Sequence, residues 1–148
     1  LTKLILALVV LVGQAVAQTA ADNDWKKLEF LIGKWTGVAG EKETPLGAGQ
    51  GEFSFEWQVN RKVIVRHNYA EYNSAPRHDD LMLIYLDPPQ QTPRAIYFDS
   101  EGHVIRYTLT FPKASSAVFE SDGTELGPRY RLSYWMERAT LQGKFEVA

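Results

Sequence analysis

The chemistry open to this 148-residue sequence rests on three histidines, His67, His78 and His103, and on its carboxylates, because it contains no cysteine. That absence excludes thiol nucleophiles, thiolate zinc sites and disulfide scaffolds together. Ser100-Glu101-x-His103 has the residue types of a nucleophile with its base, yet no Gly-x-Ser-x-Gly elbow holds the serine. Glu52 and Glu56 are paired carboxylates on the polar side of an alternating segment, where solvation makes them poor acid–base catalysts. Gly47-x-Gly49-x-Gly51 leads into a strand, not into the helix N-terminus that cradles phosphate. His78-Asp79-Asp80 are metal-type residues, but neighbours on a strand point to opposite faces, and the segment reads as a solvated loop. No catalytic residue and no metal site is assigned.

What remains is a set of side chains suited to lining a binding cavity. Phe53, Phe55, Trp57 and Val59 alternate with Glu52, Ser54, Glu56 and Gln58, so the aromatic ones share a strand face. His67 is in phase with Val63, Val65 and Tyr69 and is expected in the core or a cavity. Tyr97 and Tyr107 fall on adjacent strands, and His103 shares a side with Ile105, Tyr107 and Leu109. Arg106 lies on the other side with Val104 and Thr108, and would pair with a ligand carboxylate if that side faced inward. Phe53, Phe55, Trp57, His67, Tyr69, Tyr97, His103, Arg106 and Tyr107 are therefore the candidate ligand-binding residues.

The elements that position them follow from periodicity. Residues 1–17 read as a secretory signal: Lys3, a short apolar run, then Ala15-Val16-Ala17 before Gln18. The apolar run is shorter than the roughly 20 residues a membrane span needs, so no stable membrane insertion is expected once it is cleaved. Residues 18–148 form one domain, secreted or periplasmic. Asp22-Asn23-Asp24 supplies N-cap candidates for a short helix, in which Trp25, Leu28 and Ile32 form an apolar stripe. Gly33 stops that helix as a residue able to adopt positive φ. About nine strands follow, joined by short connections that suit antiparallel neighbours and not parallel crossovers. The expected fold is all-β: a closed antiparallel up-and-down barrel of about 8–10 strands, one end capped by the helix. A net charge of −2 with no basic stretch argues against nucleic acid.

Leu31-Ile32-Gly33-Lys34-Trp35-Thr36-Gly37, the strand Gly51-Glu52-Phe53-Ser54-Phe55-Glu56-Trp57 and Tyr97-Phe98-Asp99-Ser100-Glu101-Gly102-His103 carry a resemblance. The sequence resembles a bacterial lipocalin-like (calycin) family of unknown function, related to nitrobindins and fatty-acid-binding proteins. The resemblance makes Gly33 and Trp35 a structural signature, with the Trp35 ring across the closed end under a late-strand cation such as Arg131, Arg138 or Lys144. It implies a barrel with an interior cavity, and the function expected of that cavity is to bind a small hydrophobic or amphipathic ligand, with no catalysis. A nitrobindin-like haem protein, or an enzyme acting in the same cavity, is the alternative. Nitrobindins hold haem through a late-strand His, and here no His follows residue 103, so no cofactor is expected and haem is disfavoured.

Overall fold

The computed structural model describes residues 24–40, 42, 46–123 and 127–148. The expected leader over residues 1–17 lies outside them. A helix over residues 24–31 (α1) tightens into a 3₁₀ turn at Glu29–Leu31. Gly33 then turns the chain with φ near 140°, as expected for a residue without a Cβ. Nine strands follow: β1 (Gly33–Ala39), β2 (Gly49–Gln58), β3 (Val63–Tyr72), β4 (Ala75–Asp87), β5 (Thr92–Asp99), β6 (Val104–Thr110), β7 (Ser116–Ser121), β8 (Tyr130–Glu137) and β9 (Thr140–Val147).

Each strand pairs antiparallel with the next, in the order β1 to β9. The sheet curls into a nearly closed barrel. β1 and β9 are the two sheet edges, so a seam stands where full closure was expected. Among the described residues no helix is long and apolar enough to cross a membrane.

An up-and-down order forces alternate turns to opposite ends. One end receives α1 and the turn between β2 and β3. There Leu28 and Leu31 are fully buried, and the Trp25 ring meets Trp57 edge-on with 5.1 Å between centroids. Arg61 lies 4.6 Å over the Trp57 ring and reaches Glu29 Oε1 at 3.3 Å. This is the capped end. The mouth, at the other end, carries the turns joining β3 to β4 and β5 to β6.

The strand register sets which side chains meet inside. One inward row runs Gly33, Phe55, Arg66, Met82, Tyr97 and Ile105. Towards the mouth the next row is Trp35, Phe53, Asn68, Asp80 and Asp99. Outermost are Gly37, Gly51, Ala70 and His78.

Three expectations are corrected by this register. Val59 is not on the core face; it starts a turn at φ 50° and is 69% exposed. Gln58 pairs with Val63, so Val63, Val65, His67 and Tyr69 inherit the outward side of Gln58, and Ile64 and Arg66 are the buried residues of β3. A hairpin's turn fixes that parity, and a one-residue error flips every side chain. Finally, His78-Asp79-Asp80 is no loop: β4 begins at Ala75, bonded to β3 on one side and later to β5 on the other.

Candidate functional site

Between the capped end and the mouth, aromatic rings fill the barrel. Phe53, Phe55, Tyr134, Phe119, Tyr107 and Tyr97 form a continuous edge-on and tilted series, with successive centroids between 5.5 and 6.4 Å apart. Edge-to-face contact places positive ring edges against negative faces, which favours this herringbone over a stack. Phe55, Tyr107, Phe119 and Tyr134 are buried, while Phe53 and Tyr97 are half-buried. They form a floor under the mouth.

On that floor sits a buried ion pair. Arg66 Nη1 donates to Asp80 Oδ1, with side-chain exposures of 8% and 3%. The guanidinium carbon is 5.7 Å from the Phe53 ring centroid and 6.0 Å from that of Phe55. Asn68 Nδ2 donates to the other Asp80 oxygen at 2.7 Å. Arg66 Nε is buried and has no hydrogen-bond partner among the described residues. Burial works against the guanidinium charge, but the Tyr134 hydroxyl oxygen and the Asp80 carboxylate outweigh it and raise its pKa.

The rim adds titratable groups around Asp80. His78 Nε2 lies 3.2 Å from Asp80 Oδ2 and 3.0 Å from the Tyr97 hydroxyl, and Nδ1 lies 2.9 Å from Glu101 Oε2. The hydrogen bond to Asp80, assisted by Glu101 and opposed by burial, lifts the His78 pKa to about 9. Asp99 Oδ1 accepts the backbone N–H groups of Glu101 and His103 at 3.1 and 2.8 Å, and its Oδ2 meets His103 Nδ1 at 2.8 Å. Burial opposes the Asp99 charge, yet the hydrogen bonds from His103 hold its pKa below the usual carboxylate range. Burial pushes the Tyr97, Tyr107 and Tyr134 hydroxyls above theirs, so at neutral pH these are uncharged donors.

The candidate residues divide by this geometry. Phe53, Phe55, Tyr97 and Tyr107 meet inside, and Trp57 is inward at the capped end. His103 is an exposed rim residue. Arg106 is exposed on the outer side, because Tyr107 takes the buried position. His67 and Tyr69 border an open cleft of about 790 Å³ across the outer face of β1–β5, with Lys34, Ser54, Leu81 and Phe98. The inward Asn68, Asp80 and Asp99 also border this cleft. Its outward Arg77–Asp79 pair, at 2.9 Å, is solvated, so it offers a ligand little that water does not. The desolvated groups are in the mouth, and weigh more.

Among the described residues no Lys or Arg, Arg138 included, lies over the Trp35 ring. Trp35 stacks on Phe53, at 6.5 Å and 20°, and its Nε1 donates to the Leu31 carbonyl at 2.8 Å. Arg131 instead faces Glu120, and Lys144 faces Glu146. Arg66, Asn68 and Asp99 are not among the candidate site residues of the sequence, and His78, Asp80 and Glu101 are weighed there and set aside. Counting parity from Trp57 across the hairpin to Ile64 would have found Arg66 and Asn68. Compared with known proteins, the chain matches no family model, no curated protein and no solved structure.

Proposed function

We propose that this chain is an exported, lipocalin-like barrel that binds a small, mostly apolar ligand in the mouth of its lumen without transforming it. The observation that carries this reading is Arg66, a buried guanidinium whose Nε has no acceptor among the described residues. A buried N–H left unpaired costs about 1–3 kcal/mol, and a ligand oxygen would remove that cost. The fitting ligand has an apolar body for Phe53 and Tyr97 and one acceptor, neutral or acidic, for Arg66. The ring floor favours a compact body over a long acyl chain. Beside His78 in the same row, Ala70, Gly51 and Gly37 put no bulky side chain on the wall. Polar groups at the rim are engaged with one another, which suits binding better than turnover. Export rests on the composition of residues 1–17.

Native mass spectrometry of freshly isolated protein, and displacement of anilinonaphthalene sulfonate by small aromatic carboxylates, test this together. Expected are one ligand per chain and displacement weakened about 10–100-fold in Arg66→Met, the worth of a hydrogen bond to a charged group. A ligand-free mass with no displacement, or equal displacement by the variant, refutes the proposal.

A further inference from the structure

We propose that His78, Asp99 and Glu101 bind one divalent metal ion of the zinc type at the rim of the mouth. Each offers one ligand atom, and the three atoms lie within 4.8 Å of one another. Ligands of a single zinc ion, at about 2.0–2.1 Å from the metal, stand roughly 3.3 Å apart in a tetrahedron. Glu101 sits in a turn and is 47% exposed, so rotation of its side chain closes the difference. The three residues come from two strands and a turn, and the fold itself brings them together.

Orientation within the cluster gives the second argument. The His78 ring that donates Nε2–H to Asp80 turns Nδ1 towards Glu101 Oε2, 2.9 Å away. Without metal a proton bridges Nδ1 and Glu101 Oε2, and a dication binding there takes that proton's place. A carboxylate behind the ring of a metal-bound histidine fixes its tautomer and strengthens its donor nitrogen. Asp80 occupies that place. Asp99 is held as firmly, because two backbone N–H groups fix its Oδ1 while its Oδ2 meets His103 Nδ1.

Charge and access agree. Arg66 balances Asp80, and once the metal has displaced the His78 proton, Asp99 and Glu101 are two negative charges that match a dication. His103 Nδ1, 2.8 Å from Asp99 Oδ2, is at hand as a fourth ligand. Asp99 is 5% exposed and His78 28%, so the site is walled on one side and open to water on the other. Mixed imidazole and carboxylate ligands suit zinc better than calcium or magnesium, which prefer oxygen alone.

The test is Zn²⁺ binding to the chelator-treated protein, followed by competition with a chromophoric chelator, with Mg²⁺ as the control cation. Expected is one Zn²⁺ per chain, weakened at least about 10-fold in His78→Ala and in Glu101→Ala, and unchanged in His67→Ala on the outer face. Glu101→Ala, at an exposed turn, decides the matter if His78→Ala fails to fold. No Zn²⁺ binding, Mg²⁺ binding as tight, or binding that survives both substitutions overturns the proposal. So does loss of binding in His67→Ala.

Discussion

Separating the Arg66–Asp80 pair tests the architecture of the mouth most directly. Both side chains are nearly dry, at 8% and 3% exposure. Removing one member of such a pair strands a charge and costs about 3–5 kcal/mol. The two single substitutions differ in what they leave behind. In Arg66→Met, Asp80 keeps Asn68 at 2.7 Å and His78 at 3.2 Å, so the loss falls near the lower figure. In Asp80→Leu, Arg66 keeps only neutral company, the Phe53 and Phe55 rings and the Tyr134 hydroxyl, so the loss falls near the upper one. Arg66→Met/Asp80→Leu strands neither charge and fills the space with apolar atoms of similar volume. Its stability returns to within about 2 kcal/mol of the parent, the shortfall being the acceptor lost by Asn68 and His78. Urea denaturation followed by tryptophan fluorescence, with circular dichroism as a second probe, gives the four corners of the cycle. Additive losses, with the double variant worse than either single, would refute a buried pair isolated from water. The double variant also divides stability from function: it folds, and it does not bind an acceptor-bearing ligand, because Nε is gone.

Three further outcomes follow from the structure. A Cβ on Gly51 would run into the Tyr69 carbonyl oxygen, which is backbone and cannot swing aside; Gly51→Ala loses about 3 kcal/mol in urea denaturation, and a loss below 1 would contradict the close approach. Val59, Asn60 and Arg61 take φ of 50°, 51° and 61° in succession. A β-branched residue suffers most in that region, so Val59→Asn raises stability by about 1 kcal/mol, read as a higher melting temperature. In chelator-treated protein the His78 pKa stands at about 9 against 6.5 for the free side chain. The raised value means that its contribution is complete below pH 6.5 and is lost as pH rises through 9. Urea midpoints measured from pH 6 to pH 10 therefore fall more steeply in the parent than in His78→Gln, and equal slopes would count against the Asp80–His78–Glu101 bridge.

The sequence predicts the meander well where one face is dry and the other wet. Phe53, Phe55 and Trp57 alternate with charged or polar neighbours, and β2 follows from that pattern alone. The opening of β4 has no such pattern. Ala75-Pro76-Arg77-His78-Asp79-Asp80 contains almost nothing with strand preference, and it is extended because Asp79 pairs with Tyr69 and Asp80 with both Asn68 and Asp99. Tertiary pairing decides there, and single-segment reading takes the same residues for a loop. Arg66 was hidden for another reason. An arginine flanked by Val65 and His67 reads as the wet position of its strand, since arginine is rarely buried unpaired, and its partner Asp80 stood in a segment read as solvent. The two errors concealed each other, and with them the centre of the candidate site.

Stability alone gives no reason for a guanidinium in that place. The position lies between Phe55 and Met82 in the register, above rings that would accept a methionine or leucine without a polar atom to satisfy. An apolar pair of similar volume there would be about as stable as the ionic one, or more so. A chain without cysteine depends on its core for stability, so the desolvation of two charges is a burden it has no structural need to carry. What the ionic pair adds is presentation. Asp80 holds Nη1 of Arg66 and Nε2 of His78 at once, which fixes both rings of charge at the mouth, leaves Arg66 Nε towards an acceptor that the described chain does not supply, and turns His78 Nδ1 to the rim. Binding is the work for which this arrangement is suited.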